Sequence, residues 1–304
     1  ASEFNKLTDK FLSKIDGVMT GHHVIFNNKK IKKLINCKVI VRYGVGFDSV
    51  DIKQAGYQNM KVFNIPDYGV DEVADHALAM ILNLSRFING NDEILKKEYK
   101  ENEIKWLYDQ NKNQKRLKDL SLGIIGLGRI GTALAERSKS IFKNILFYDP
   151  LKEDGYDKAL GIKKEEKLIN LFKNSDVISL HAPSTEKNKF FLEEKLFKIL
   201  NKPIIFVNTS RGDLVKNSIL AKYFKSGKIR GLGLDVFNKE PPPKKDALTK
   251  IWEDKQNIGR IIFTPHVAFY STEALNEIRF KGVTTIKKFF ENKKIKNCIN
   301  TKYL

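Results

Sequence analysis

Three segments of the 304-residue chain carry side chains that could do acid–base and anion chemistry together. Arg211 lies in Val207-Asn208-Thr209-Ser210-Arg211-Gly212, and Glu240 in Leu234-Asp235-Val236-Phe237-Asn238-Lys239-Glu240-Pro241. His266 lies in Thr264-Pro265-His266-Val267-Ala268. A guanidinium can fork onto a carboxylate or carbonyl oxygen. An imidazole can give or take a proton near neutral pH, and a carboxylate beside it holds the ring and favours its charged form. Taken singly, each has an ordinary use: an Arg in a salt bridge, a Thr-Pro-His in a loop, a Glu-Pro in a turn. Their joint occurrence behind a fourth segment is what gives them weight.

That fourth segment is Gly126-Leu127-Gly128-Arg129-Ile130-Gly131, a GxGxxG. Alone it is weak evidence, because glycine turns are common. Here an apolar run at 122–126 precedes it, a helix-patterned stretch at 130–142 follows, and a second apolar run at 145–148 ends at Asp149. Asp149 stands 18 residues beyond Gly131, near the roughly 20 expected for an acid that binds a ribose. Gly126 permits the tight turn, Gly128 lets the backbone approach a pyrophosphate, and Gly131 allows close helix–strand packing. The exposed amides and helix dipole would hold the negative charge. A carboxylate at 149 accepts both ribose hydroxyls and repels a 2′-phosphate, which favours NAD over NADP.

The elements that must position these residues are legible in the apolar pattern. Runs at 122–126, 145–148, 177–180, 204–207, 231–236 and 261–263 alternate with amphipathic stretches. Continuous apolar strands separated by helices indicate buried parallel strands in βαβ units. Six of them make a doubly wound sheet, whose strand-end loops gather at one edge. The first 120 residues repeat the alternation more weakly, with strands at 17–20, 39–42 and 61–64. A long helix is expected over 71–95 and a final one over 272–290, whereas 97–119 reads as a surface connection. The chain begins without a Met and without an initial strand, and a missing β-α unit there is an expectation of this reading.

Composition bounds the class. Apolar residues make up 41% and aromatics 11%, which supplies a core and argues against intrinsic disorder. No apolar run is long enough for a membrane span, and residues 1–10 show no secretory pattern. Two cysteines, Cys37 and Cys298, make neither a disulfide framework nor a zinc site, and no ligand spacing suggests a metal. A reduced, cytoplasmic protein of enzyme size is the default. The net charge of +19 raises nucleic acid as a partner. The excess is spread along the chain, however, and is carried by 46 Lys against 9 Arg. Base-edge readout favours arginine forks, so lysine on solvated faces is the better reading.

Taken together, the sequence resembles the D-isomer-specific 2-hydroxyacid dehydrogenases over essentially its whole length. The resemblance is carried by the GxGxxG with Tyr148-Asp149-Pro150, by Ser179-Leu180-His181-Ala182-Pro183, by the Asn-Thr-Ser-Arg-Gly segment, by Asp-Val-(x)3-Glu-Pro and by Pro-His. Arg42-Tyr43-Gly44-Val45-Gly46, Ile65-Pro66-Asp67-Tyr68 and 265–271 look most like the C-terminal-binding-protein branch, which usually has Trp where this chain has Phe269. That branch includes NAD-sensing corepressors as well as dehydrogenases, so a non-catalytic NAD(H) sensor is the alternative to an enzyme. The complete Arg, Glu and His set favours the enzyme.

The resemblance implies an α/β fold of two Rossmann-like domains. One is a doubly wound parallel-sheet NAD domain at 89–272; the other is a smaller flavodoxin-like substrate domain built from 1–88 and 273–304. It assigns catalysis to Arg211, Glu240 and His266, and substrate binding to Arg42, Tyr43, Gly44, Val45, Gly46 and Phe269. Cofactor contacts fall on Gly126, Gly128, Arg129, Ile130, Gly131, Asp149, His181, Ala182, Pro183, Thr209, Ser210 and Asp235, the last beside the nicotinamide carboxamide. Partners would be a small 2-oxo or 2-hydroxy acid and a second copy of the chain, docked through the NAD domain. Gly69 and Gly90, near the ends of the 71–95 helix, would be hinges. His76 reads as a packed or capped histidine, His181 also admits a purely structural use, and His22 and His23 read as surface.

Overall fold

The computed structural model describes residues 7–21, 24–108 and 114–304. His22, His23 and residues 109–113 of the expected connection lie outside the described residues. The chain forms two compact units, one running to Gly69 and resuming at Tyr270, the other Val70–Phe269.

In the first unit, β1 (Gly17–Thr20), β2 (Val39–Arg42) and β3 (Lys61–Asn64) form a parallel sheet in that order. All three coincide with the expected runs. Leu12, Phe26, Ile31, Leu34, Ile40 and Val62 build the core. The helix Thr272–Phe290 spans the predicted residues and sets Phe289 edge-on to Phe63, at 6.3 Å between ring centroids. Asn300, fully buried, takes the place of a missing neighbour for edge strand β3. Its Oδ1 accepts from the Val62 amide at 2.9 Å and its Nδ2 donates to the Met60 carbonyl at 2.8 Å. That satisfies backbone groups an edge would leave open. Cys37 is buried here, and burial pushes its thiol up to about 11, which makes it a packing residue rather than a nucleophile.

The second unit holds a seven-stranded parallel sheet. Its strands are β4 (Ser121–Ile125), β5 (Asn144–Tyr148), β6 (Lys163–Lys164), β7 (Val177–Leu180), β8 (Ile204–Asn208), β9 (Ile229–Leu234) and β10 (Ile261–Phe263), in the order β10-β9-β8-β7-β4-β5-β6. Side chains alternate between two cores. Ile125, Ile178, Ile204 and Phe206 face one; Ile124, Val177, Ile205 and Val207 face the other. Both faces are covered, as a parallel sheet requires. The order reverses between β4 and β7, where a doubly wound sheet opens its ligand crevice. The six expected strands are present; β6 escaped the reading because Lys163-Lys164 is a two-residue edge strand with no apolar signal.

Two expectations need correction. The single helix over 71–95 is two helices, Val70–Arg86 and Ile88–Glu101, broken at Phe87, which takes φ +57°. Its ring is buried over Gly90, where a Cβ would come within 2.3 Å of it. Gly90 is therefore a packing position inside the second helix, not a hinge at a helix end. The boundary between the units falls at Gly69/Val70 and Phe269/Tyr270 rather than at 88/89 and 272/273. The reason is that Ala74, Ala77, Met80, Ile81 and Leu84 of helix Val70–Arg86 belong to a core of the seven-stranded sheet. Arg137 of helix Arg129–Ser138 adds ion pairs to Asp71 and Asp75.

Candidate active site

The turn after β4 is built for close approach. Gly126 takes φ +90°, and a Cβ there would lie 2.7 Å from the Ala182 amide. A Cβ on Gly131 would lie 2.1 Å from the Gly126 carbonyl oxygen, so helix Arg129–Ser138 can start against the strand only without one. Around Gly128 nothing lies within 4 Å of a Cβ position, and no side chain caps the helix that follows. The open amides of its first turn face no competing acceptor from a cap. Asp149, at the end of β5, accepts from the Leu127 amide at 2.9 Å and the Leu151 amide at 3.0 Å, one on each oxygen. Each oxygen keeps a lone pair for a hydroxyl.

At the ends of β7 and β8, two polar atoms are buried without a partner among the described residues, His181 Nδ1 and Thr209 Oγ1. Such groups cost about 1–3 kcal/mol when left unmet, and a ligand's polar atoms would meet them. Burial pushes the His181 imidazole down to about 4, so the ring is neutral at physiological pH. Its Nε2 is 2.8 Å from Ser179 Oγ, and its amide donates to the Ile125 carbonyl at 2.7 Å. Ala182 and Pro183 continue this strand end beside the glycine turn. The set fits a dinucleotide: an uncapped helix start for the pyrophosphate, a carboxylate for a ribose, and unmet polar atoms across the switch point.

The loops after β8, β9 and β10 bring Arg211, Glu240 and His266 to the same sheet edge. Asn208, fully buried, staples the first loop: Oδ1 accepts from the Ser210 amide at 2.9 Å and its hydroxyl at 2.8 Å, and Nδ2 donates to the Arg211 carbonyl at 2.9 Å. Arg211 itself donates to the Ser210 carbonyl at 2.7 Å. Asn238 ties the second loop to the first, donating to the Gly212 and Val215 carbonyls and accepting from the Asn217 amide. A Cβ on Gly212 would lie 2.0 Å from the Phe237 backbone, so the two loops interlock.

Glu240 Oε2 stands 2.8 Å from His266 Nδ1, and Oε1 accepts from the Phe237 amide at 3.1 Å. Burial works to raise the Glu240 pKa. The His266 hydrogen bond and charge, the Phe237 amide and the nearby Arg211 charge outweigh it and hold the carboxyl below its ordinary range. The Phe269 ring lies 6.5 Å from the imidazole, edge-on.

Asp235 does more than the sequence implied. It is buried, with Oδ1 accepting from Thr264 Oγ1 at 2.5 Å and the Val267 amide at 2.9 Å, and Oδ2 from the Ala268 amide at 3.0 Å. It therefore builds the turn that presents His266. Asn208, Asn238 and Thr264 were missed as site-building residues. Only Asn208 offered a signal, by ending an otherwise apolar strand.

In the other unit, the loop after β2 is ordered from within. Arg42 is buried and donates to the Tyr43 carbonyl at 2.5 Å, with its guanidinium lying where a Gly44 Cβ would sit. Asn64 Nδ2 holds the Val45 carbonyl at 2.7 Å, and the Ile65 amide holds that of Gly44 at 3.1 Å. Tyr43 rests its ring against Gly282 and its hydroxyl on Met19 Sδ, whereas Val45 is exposed. Arg42 thus holds this loop together.

A Rossmann sheet with an Arg and a Glu–His pair on its ligand edge is the arrangement of a dinucleotide-dependent dehydrogenase. Comparison with known proteins narrows the class. The family model for the D-isomer specific 2-hydroxyacid dehydrogenases, NAD binding domain, matches residues 78–268. A glyoxylate reductase of Korarchaeum cryptofilum is 34% identical over 239 residues, covering 78% of this chain and 68% of that protein. A glyoxylate reductase of Thermococcus litoralis is 34% identical over 238 residues, 78% of this chain and 69% of that protein. The D-lactate dehydrogenase of Aquifex aeolicus, solved with NAD and lactic acid, superposes with a TM-score of 0.83 at 29% identity over 95% of this chain and 86% of that one. The chain belongs to the D-isomer specific 2-hydroxyacid dehydrogenases. It is an NAD-dependent oxidoreductase acting on 2-hydroxy acids. The C-terminal-binding-protein branch is a finer placing than these matches carry.

Proposed function

We propose that the protein reduces a small 2-oxo acid with NADH, using His266 as proton donor, Glu240 as its support and Arg211 as the anchor of the keto oxygen. The observation that carries this is the 2.8 Å His266–Glu240 pair on the same sheet edge as Arg211 and the glycine turn. NADH, when bound, supplies the hydride to the substrate's C2. Arg211 polarises the carbonyl and fixes its plane. His266 Nε2 delivers the proton to the developing alkoxide, and Glu240 keeps the ring oriented through Nδ1. The loop amides at Gly44–Gly46 receive the substrate carboxylate, with Arg42 holding the loop's shape. Asp235 braces the His266 turn and keeps one lone pair for the carboxamide, and Phe269 shapes the space for the substrate's side chain.

Relatives named glyoxylate reductase and D-lactate dehydrogenase make glyoxylate and pyruvate the first substrates to test. NADH oxidation is measured against these, hydroxypyruvate and longer 2-oxo acids. Turnover on at least one is expected. No turnover on any, with tight NADH binding retained, replaces this reading with a non-catalytic NAD(H) sensor.

Cofactor choice is assigned to Asp149. Asp149→Ser narrows the preference for NADH over NADPH, because the repulsion of a 2′-phosphate is removed. Comparing kcat/KM for the two cofactors checks it, and equal use of both by the unmodified protein counts against the assignment.

Glu240 sets the acid limit of the pair. The His266 hydrogen bond, the Phe237 amide and the Arg211 charge hold its carboxyl below the ordinary range, so the carboxylate persists through that range as pH falls and is lost only below it. Glu240→Gln removes the ionisable group, so the acid limb that it sets on the reduction profile should disappear. An acid limb that stays in place in Glu240→Gln breaks the proposed pairing.

The partner is a second copy of this chain. Ile88 and Tyr99 on helix Ile88–Glu101, with Ile104, Trp106, Leu107 and Tyr108 after it, are exposed on the NAD unit, an apolar concentration that a monomer seldom carries. Sedimentation equilibrium reads the mass directly, and a single-chain mass at every concentration rejects the dimer.

A further inference from the structure

One histidine of the NAD unit is used by none of the chemistry above. His76, on helix Val70–Arg86, places Nε2 3.1 Å from Thr264 Oγ1 and 3.9 Å from Asp235 Oδ1, with its side chain a quarter exposed. Thr264 Oγ1 stands 2.5 Å from Asp235 Oδ1. A hydroxyl has one hydrogen, and a carboxylate can only accept. Thr264 therefore donates to Asp235 and accepts from His76, which fixes the His76 proton on Nε2.

Asp235 continues the chain by accepting the amides of Val267 and Ala268. The residue between Thr264-Pro265 and Val267 is His266, held in the left-handed region at φ +53°, its own amide shared by the Asp235 and Thr264 carbonyls. The His266 amide and the two amides after it thus hang from Asp235. A carboxylate buried to this degree holds its geometry only while its donors are in place.

We propose that His76 is a positioning residue for the proton donor: through Thr264 and Asp235 it fixes the turn that aims the His266 ring. The proposal rests on the reading of His266 given above, and it adds a residue far from it in sequence that no motif marks.

The experiment compares His76→Leu with His76→Gln, whose amide can donate from about the place of Nε2, each alone and in a His266→Asn background. NADH-dependent 2-oxo acid reduction is the readout. His76→Leu should lower kcat by roughly 10- to 100-fold, the scale of a misplaced reacting group. His76→Gln should recover most of that loss. In the His266→Asn background, His76→Leu should add no further loss, since residues acting as one unit are not additive. Thr264→Val should reproduce the His76→Leu defect and Thr264→Ser should not, which keeps the test open if His76→Leu folds poorly. The proposal is overturned by wild-type kcat in His76→Leu, by a Gln variant as slow as Leu, or by a loss that multiplies in the His266→Asn background. Normal turnover in His266→Asn alone would remove the proton-donor reading and this inference with it. A slow His266→Asn with a fast His76→Leu removes only the inference.

Discussion

Replacing His266 by Asn lowers the rate of 2-oxo acid reduction by about 10² to 10⁴, the usual contribution of a positioned general acid, while NADH affinity is retained. Asn is the informative substitution because the residue sits at φ +53°, a region where Asn is among the residues that most readily substitute without strain. The backbone of the turn is also held independently of the ring, by the Asp235 carboxylate on the Val267 and Ala268 amides. The loss therefore reports chemistry rather than a collapsed loop. Steady-state NADH oxidation together with NADH titration by fluorescence separates the two quantities. A rate within a few-fold of the unmodified protein would show that the proton comes from elsewhere.

Arg211→Lys is expected to reduce kcat/KM by roughly 10- to 100-fold, about what a hydrogen bond to a charged group is worth. The charge is conserved, so a purely coulombic role predicts almost no change. The guanidinium here donates to the Ser210 carbonyl, and Asn208 holds the Arg211 backbone carbonyl beneath it. An ammonium presents one compact point of charge and cannot reproduce that fork. The loss should appear in both kcat and the substrate's KM, with KM for NADH unaffected. A near-normal rate in Arg211→Lys would show that planar orientation of the keto oxygen is not the residue's role.

Most of the scaffold could be read from the sequence because buried parallel strands carry their signal locally. Val177–Leu180 and Ile261–Phe263 were placed to the residue, and β4 and β5 within one position. The candidate site's Arg211, Glu240 and His266 stand out in the sequence because each follows such a strand. What failed was set by tertiary contact. Phe87 has no turn propensity, and its left-handed conformation exists because Gly90 leaves room for its ring. Helix Val70–Arg86 joined the NAD unit through residues whose spacing shows that they are buried, not against what. The resemblance puts Arg42 in the substrate-binding loop, and only the fold shows its guanidinium lying across Gly44. The braces under the catalytic loops were invisible for the same reason: His76 and Thr264 are 188 positions apart.

The interlock between the Gly212 and Phe237 backbones bears on how the enzyme could be redesigned. Because Gly212 has no space for even a methyl group and Asn238 is bonded into the loop that carries Arg211, the segments bearing Arg211 and Glu240 form one mechanical part. An insertion or a bulkier residue in either displaces the other, so neither is a useful place to retune substrate preference. No such mortise exists at Val45, whose side chain is exposed while Asn64 holds its carbonyl. On the substrate-binding role proposed for its loop, a library at Val45 would explore new acids while leaving the Gly212–Phe237 interlock untouched.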